Sequence, residues 1–144
     1  MNQKSIYAVV IAILLIGTAL VFVENKKESE SLKLNKIMEK VGYKDITSKE
    51  LKSMMENKDF TLVNVHYPYI GEIENTDVFI PFDKIGENFN KLPEDKNAKI
   101  VLYCQSGGMS SVTARELADL GYTNVMNLRD GMIGWENEGY LLKK

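Results

Sequence analysis

The chain has one cysteine and one histidine in 144 residues. A single cysteine excludes an internal disulfide, so a folded domain must be held by its apolar core alone. Cys104 and His66 together cannot build a four-ligand Cys/His zinc site, and no metal is expected. Proline is scarce, at three residues, and no repeat or low-complexity tract occurs. Positive charge is not in excess either, with 18 Lys and Arg against 20 Asp and Glu. That leaves no basic patch, and no nucleic-acid partner is expected.

Charge is missing altogether from Ile6 to Val23, "IYAVVIAILLIGTALVFV". Eighteen such residues are about the minimum for a helix that spans a bilayer. No polar face interrupts the run, so residues 1–23 read as a transmembrane segment rather than a buried core helix. Gly17-Thr18-Ala19 is a weak cleavage site and apolar sequence continues past it, which favours a retained signal anchor or uncleaved signal. Lys4 and the terminal amine nearly balance Lys26 and Lys27 across the run. The very short leading tail then favours a single-pass chain whose globular domain lies outside the cytoplasm.

Glu24 to Ser31, "ENKKESES", reads as a charged linker with nothing to bury. Leu34, Ile37, Met38 and Val41 recur at helical spacing before Gly42, so residues 24–42 read as a linker and a short amphipathic helix. Residues 43–144 read as the globular domain. Thr47-Ser48-Lys49-Glu50 is a capping box that opens a helix through about Met55. "FTLVNV" (Phe60–Val65) and "VFIP" (Val78–Pro81) read as strands, and Asp83–Leu92 as a helix ended by Pro93. "KIVLYC" is the most apolar strand candidate. A helix over Ser110–Leu120, a strand "NVMNL" and a last helix over Gly131–Glu138 follow. Strands separated by helices, with near-continuous apolar runs, predict an α/β domain with a mainly parallel sheet flanked by helices. Functional groups in such sheets gather beyond the carboxyl ends of strands. His66 and Cys104 both stand at such ends.

The turn Cys104-Gln105-Ser106-Gly107-Gly108-Met109 has a physical use. Two glycines let the backbone curl its amides inward, and a helix starting near Ser110 adds the positive end of its dipole. A sulfur at the head of such a loop is favoured as thiolate over thiol, and the same cradle suits a persulfide or an oxyanion. A buried packing cysteine before an ordinary glycine turn is the competing reading of these residues.

The longer stretch "YCQSGGMSSVTARELADLGYTNVMNLRDGMIGW" resembles the second half of a single-domain rhodanese. Leu120, Gly121, Tyr122, Asn124, Val125, Gly131 and Trp135 all fit that pattern. "LVNVHYPYIGEI" and "FIPFDKI" match the first half more loosely. The resemblance implies a rhodanese-like fold and sulfurtransfer. Cys104 would be the nucleophile that holds a sulfane sulfur as a persulfide, and Gln105, Ser106, Gly107, Gly108, Met109 and Ser110 the substrate-binding cradle. The partners implied are a small sulfur donor, such as thiosulfate, and a thiol or other nucleophilic acceptor, with no cofactor. Related phosphatases and arsenate reductases use a longer loop that ends in Arg, so phosphatase activity is not expected.

Four positions depart from the family pattern. Met109 sits where many rhodaneses have an Arg that would pair with a dianionic donor. Asn64 and His66 replace the Asp and Arg of an Asp-Val-Arg motif, and Glu72 replaces a histidine. His66 remains a candidate catalytic residue, to polarise the thiol or shuttle a proton, with Glu72 to orient it. The expectation is a membrane-anchored rhodanese-like sulfurtransferase. The alternative is a non-catalytic module of the same fold that binds a partner at the membrane.

Overall fold

The computed structural model describes residue 3, residues 22–33 and residues 42–144. The chain divides into two compact units, Met1–Lys40 and Val41–Lys144. Within the first, residues 22–33 are helical and exposed throughout. The charged stretch expected as a linker is therefore helical, in keeping with the helix preference of Glu and Lys. Hydroxyls of Ser29 and Ser31 donate to the carbonyls of Lys26 and Glu28. Most of the apolar run, residues 6–21, and the amphipathic positions Leu34, Ile37, Met38 and Val41 lie outside the described residues. Among the described residues no helix is long and apolar enough to cross a membrane.

The second unit begins with a short strand, β1 (Lys44–Ile46), and a helix, α1 (Ser48–Met54). The Thr47 hydroxyl accepts from the Glu50 N–H at 3.2 Å, and the Glu50 carboxylate accepts from the Thr47 N–H at 2.7 Å. These reciprocal bonds satisfy two donors that a helix start would otherwise leave open. They also hold the Glu50 carboxyl below its ordinary range. Four strands follow: β2 (Thr61–Asn64), β3 (Glu72–Ile73), β4 (Val78–Phe79) and β5 (Ile100–Tyr103). The chain closes with α2 (Gly108–Asp119), β6 (Val125–Leu128), α3 (Gly131–Asn137) and β7 (Leu142–Lys143).

The main sheet has the order β1-β6-β5-β2-β4, and every neighbouring pair is parallel. A central parallel strand is covered on both faces, which is why all four residues of β5 are buried. Side chains alternate across it. Ile100, Leu102 and Cys104 join Val63, Val65, Ala114 and Leu117 in the cluster under α2. Val101 and Tyr103 join Leu62, Leu51, Met132 and Trp135 in the cluster under α1 and α3.

One element differs from the sequence expectation. Asp83–Leu92 is not an α-helix but two short 3₁₀ turns, Phe82–Glu87 and Phe89–Lys91. Gly86, Asn88 and Asn90 are poor helix formers, and Asn88 leaves helical geometry at φ −126°. The apolar spacing still does its work, since Ile85 and Leu92 are buried and Phe89 packs on the same cluster. Strands β1, β3 and β7 have no counterpart in the sequence reading; they are two or three residues long. Because the main strands all run one way, the turns after β1, β2, β5 and β6 meet at a single edge of the sheet.

Candidate active site

Cys104 is the first residue past β5 and is only 1 % exposed. The turn that follows is set by two close approaches. Gly107 has φ +88°, and a Cβ there would sit 1.8 Å from the Arg129 carbonyl oxygen. Gly131 has φ +56°, and its Cβ would lie 2.4 Å from the Cys104 carbonyl oxygen. No side chain fits at either place, so the β5–α2 and β6–α3 turns lie backbone against backbone.

That close approach decides how the loop's peptides face. The carbonyls of Cys104 and Gln105 accept from the N–H groups of Met132 and Ile133, both at 2.9 Å. With those oxygens held toward α3, the Gly107 N–H donates to Cys104 Sγ at 3.2 Å. The Ser110 hydroxyl lies 3.5 Å from Sγ and 3.2 Å from the Gly107 carbonyl. It has one proton and can serve only one of them at a time. The N–H groups of Gln105, Ser106, Gly108, Met109 and Ser110 meet no acceptor among the described residues. Three of these open the first turn of α2, which begins at Gly108, two residues before the expected start.

Met109 is half-buried and packs against the apolar cluster that contains Cys104. The loop from Cys104 to Ser110 thus carries no cation. Arg115 does not supply one, for it lines a groove on α2 with Val112, Glu116 and Leu120 and with no loop residue.

His66 is 5 % exposed and stands two residues past the end of β2. Val63 and Val65 share the Cys104 cluster, Asn64 alternates with Val63 on β2, and His66 lies past the strand's end. No hydrogen bond joins His66 to Cys104 among the described residues; the groups on Sγ are Gly107 and Ser110. No hydrogen bond joins Glu72 to His66 among the described residues either. The Glu72 carboxylate acts on Tyr69, whose phenol is pushed up first by burial and then by that charge.

Asn64, read from sequence only as a lost carboxylate, has a definite task. Its side-chain amide donates to the Gly71 carbonyl at 3.0 Å, and its oxygen accepts from the His66 N–H at 3.0 Å. An ionised Asp could accept but not donate, so the amide alone can close the turn from His66 to Gly71 at both ends.

Burial holds the His66 imidazole below its ordinary value of 6.5. The unfolded chain then binds that proton more readily than the folded one. This contribution to stability is complete above the unfolded value and is lost as pH falls below it. Urea midpoints are expected to drop between about pH 7 and about pH 5, and to drop less steeply in a His66→Gln chain. Equal slopes for the two chains would refute the assignment.

A buried cysteine at a strand end, with the Gly107 N–H of the following turn donated to its sulfur, on a parallel α/β sheet, defines the class: an α/β domain with a thiol at the head of a strand–helix turn. A sequence model of the rhodanese-like domain matches residues 47–138. The chain belongs to the rhodanese-like family. A sulfurtransferase of Allochromatium vinosum is 35 % identical over 60 residues, which cover 42 % of this chain and 54 % of that protein. An uncharacterised protein of Synechocystis is 27 % identical over 96 residues, covering 65 % of this chain and 52 % of that one. The chain thus spans about half the length of these two curated relatives. A rhodanese-like domain protein from Staphylococcus aureus superposes with a TM-score of 0.59 at 31 % identity, over 70 % of this chain and 99 % of that one.

Proposed function

We propose that the chain is a membrane-anchored sulfurtransferase that carries a sulfane sulfur as a persulfide on Cys104. Membership of the rhodanese-like family and a relative named as a sulfurtransferase support the activity. The observation that carries the reading is the Gly107 N–H donated to Cys104 Sγ inside a turn whose other amides meet no acceptor among the described residues. Backbone N–H groups aimed at a sulfur stabilise negative charge on it, whether thiolate or persulfide.

In the loading step the Cys104 thiolate attacks the outer sulfur of a donor such as thiosulfate. A new S–S bond forms, the donor's S–S bond breaks, and sulfite leaves with the bonding pair. In the second step a nucleophilic acceptor takes the outer sulfur, and Cys104 departs as thiolate. Covalent catalysis of this kind requires no metal or organic cofactor. Incubation with thiosulfate, polysulfide and an organic persulfide, followed by intact mass, tests it. One added sulfur atom is expected on the chain, and none with any donor would end the reading.

The anchor rests on the uncharged run Ile6–Val23, with the globular domain held at a membrane surface, outside the cytoplasm by the flank argument. Alkaline extraction of cell membranes should leave the chain in the pellet; release into the supernatant would refute anchoring. A second reading is favoured by Met109, which fills the cation's place with an apolar group. On that reading the domain binds a partner at the membrane and transfers nothing. A thiol that gains no sulfur would point to it.

A further inference from the structure

The turn after β2 ends in an exposed apolar tip. Tyr67, Tyr69 and Ile70 are 58 %, 49 % and 46 % exposed. From Phe60 to Gly71, "FTLVNVHYPYIG", there is no Asp, Glu, Lys or Arg, and the single histidine is buried. β2 and β5 are parallel neighbours, so this tip stands at the same sheet edge as the Cys104 turn. We propose that the tip is a docking surface for lipid, which sets its tyrosines and Ile70 into the headgroup boundary of an uncharged bilayer. The inference rests on the anchoring reading and names the face that the anchored domain turns to the membrane.

The tip is tied down rather than loose. The Asn64 side chain closes the turn at both ends, on the Gly71 carbonyl and the His66 N–H. The Tyr69 ring is braced edge-on against Phe79, with centroids 5.2 Å apart. Ordering on docking therefore costs less than it would for a free loop. The residue types are those of a membrane boundary, where a tyrosine keeps its ring among apolar groups and its hydroxyl in water. No Lys or Arg in the tip seeks anionic headgroups, and Glu72, the first charge after it, acts on Tyr69. An uncharged lipid surface is the match.

Reach and size select lipid over a protein. The uncharged run ends at Val23 and the domain begins near Gly42, with residues 24–41 between them. Those 18 residues span about 27 Å as a helix and about 60 Å at full extension. An anchored domain thus never leaves the neighbourhood of the bilayer, and a tethered contact needs little affinity of its own. The three half-exposed side chains offer roughly 300 Å² together, at about 200 Å² for each whole side chain. A stable protein interface takes about 800 Å² from each partner. Docked in this way, the domain holds the edge that carries Cys104 at the lipid surface.

The test uses the full chain in phosphatidylcholine vesicles, with acyl chains either plain or brominated near the headgroup. A Tyr67→Trp chain is expected to lose more emission to the brominated lipid than the wild type, whose single tryptophan, Trp135, is buried. Ile70→Glu in the same chain, at an exposed position, is expected to abolish that extra quenching by placing a charge in the tip. Flotation on a density gradient reads the anchor separately. A chain that floats without extra quenching overturns the docking and leaves the anchor standing, as would follow if the tip met a protein or a second copy instead. Extra quenching that survives Ile70→Glu also overturns it, because the introduced indole alone would then be seeking lipid. A chain that does not float overturns the anchoring reading, and the docking falls with it.

Discussion

Cys104→Ser is expected to abolish sulfur loading and to lower transfer by more than about 10³-fold, as removal of a covalent nucleophile does. The test is unusually clean in this chain. Cys104 is its sole thiol, so no second cysteine can carry the sulfur in its place. Serine keeps the size class and can accept the Gly107 N–H that now reaches Sγ at 3.2 Å, so the loop has no cause to rearrange. The measurement is intact mass after donor treatment, paired with sulfite release from thiosulfate. A serine chain that still transfers at the wild-type rate would remove Cys104 from the chemistry and end the persulfide reading.

Met109→Arg is expected to raise kcat/KM for thiosulfate about 10- to 100-fold. The range is that of one new bidentate, charge-assisted ion pair in a loop that otherwise holds no cation. Met109 is half-buried against the apolar cluster, but an arginine stem can follow the same surface and hold its guanidinium outward. A neutral organic persulfide should benefit little, because it offers no second charge to pair. The ratio of the two donors therefore separates a new ion pair from a general improvement. If thiosulfate turnover does not change, the donor's sulfonate does not lie over Met109, and the family's usual anion-binding cation has no equivalent position in this domain.

Much of the fold was legible in the residues themselves. The capping box at Thr47 and Glu50 is a local signal, closed by bonds between residues three apart. The apolar run "IVLY" identifies the central strand because a parallel strand is buried on both faces. Cys104 could be placed at the head of a turn because the strand, the two glycines and the helix are contiguous in sequence. Where the signal was periodicity alone, it failed once. Ile85, Phe89 and Leu92 have helical spacing, yet the segment forms 3₁₀ turns, since burial of three side chains does not require α geometry.

The site's remaining parts come from places distant in sequence. His66 was expected to act on the thiol because it stands past the end of the strand beside β5, yet the groups hydrogen-bonded to Sγ among the described residues are Gly107 and Ser110. Asn64 was read as a loss and proves to be a two-ended tie for the turn that follows. Arg129 carried no site signal at all, since it acquires its place only where the β6–α3 turn presses on Gly107. Gly131 was visible as part of a family pattern, but not as the reason the Cys104 and Gln105 carbonyls turn away from the sulfur. By itself, then, the sequence determined the parallel α/β class, the position of the thiol and the absence of a loop cation, all properties of contiguous residues. Only the tertiary structure decided which groups meet that thiol. The peptide orientations of its loop are set by a second turn, beyond α2 and β6 in the chain, packed backbone to backbone against the first.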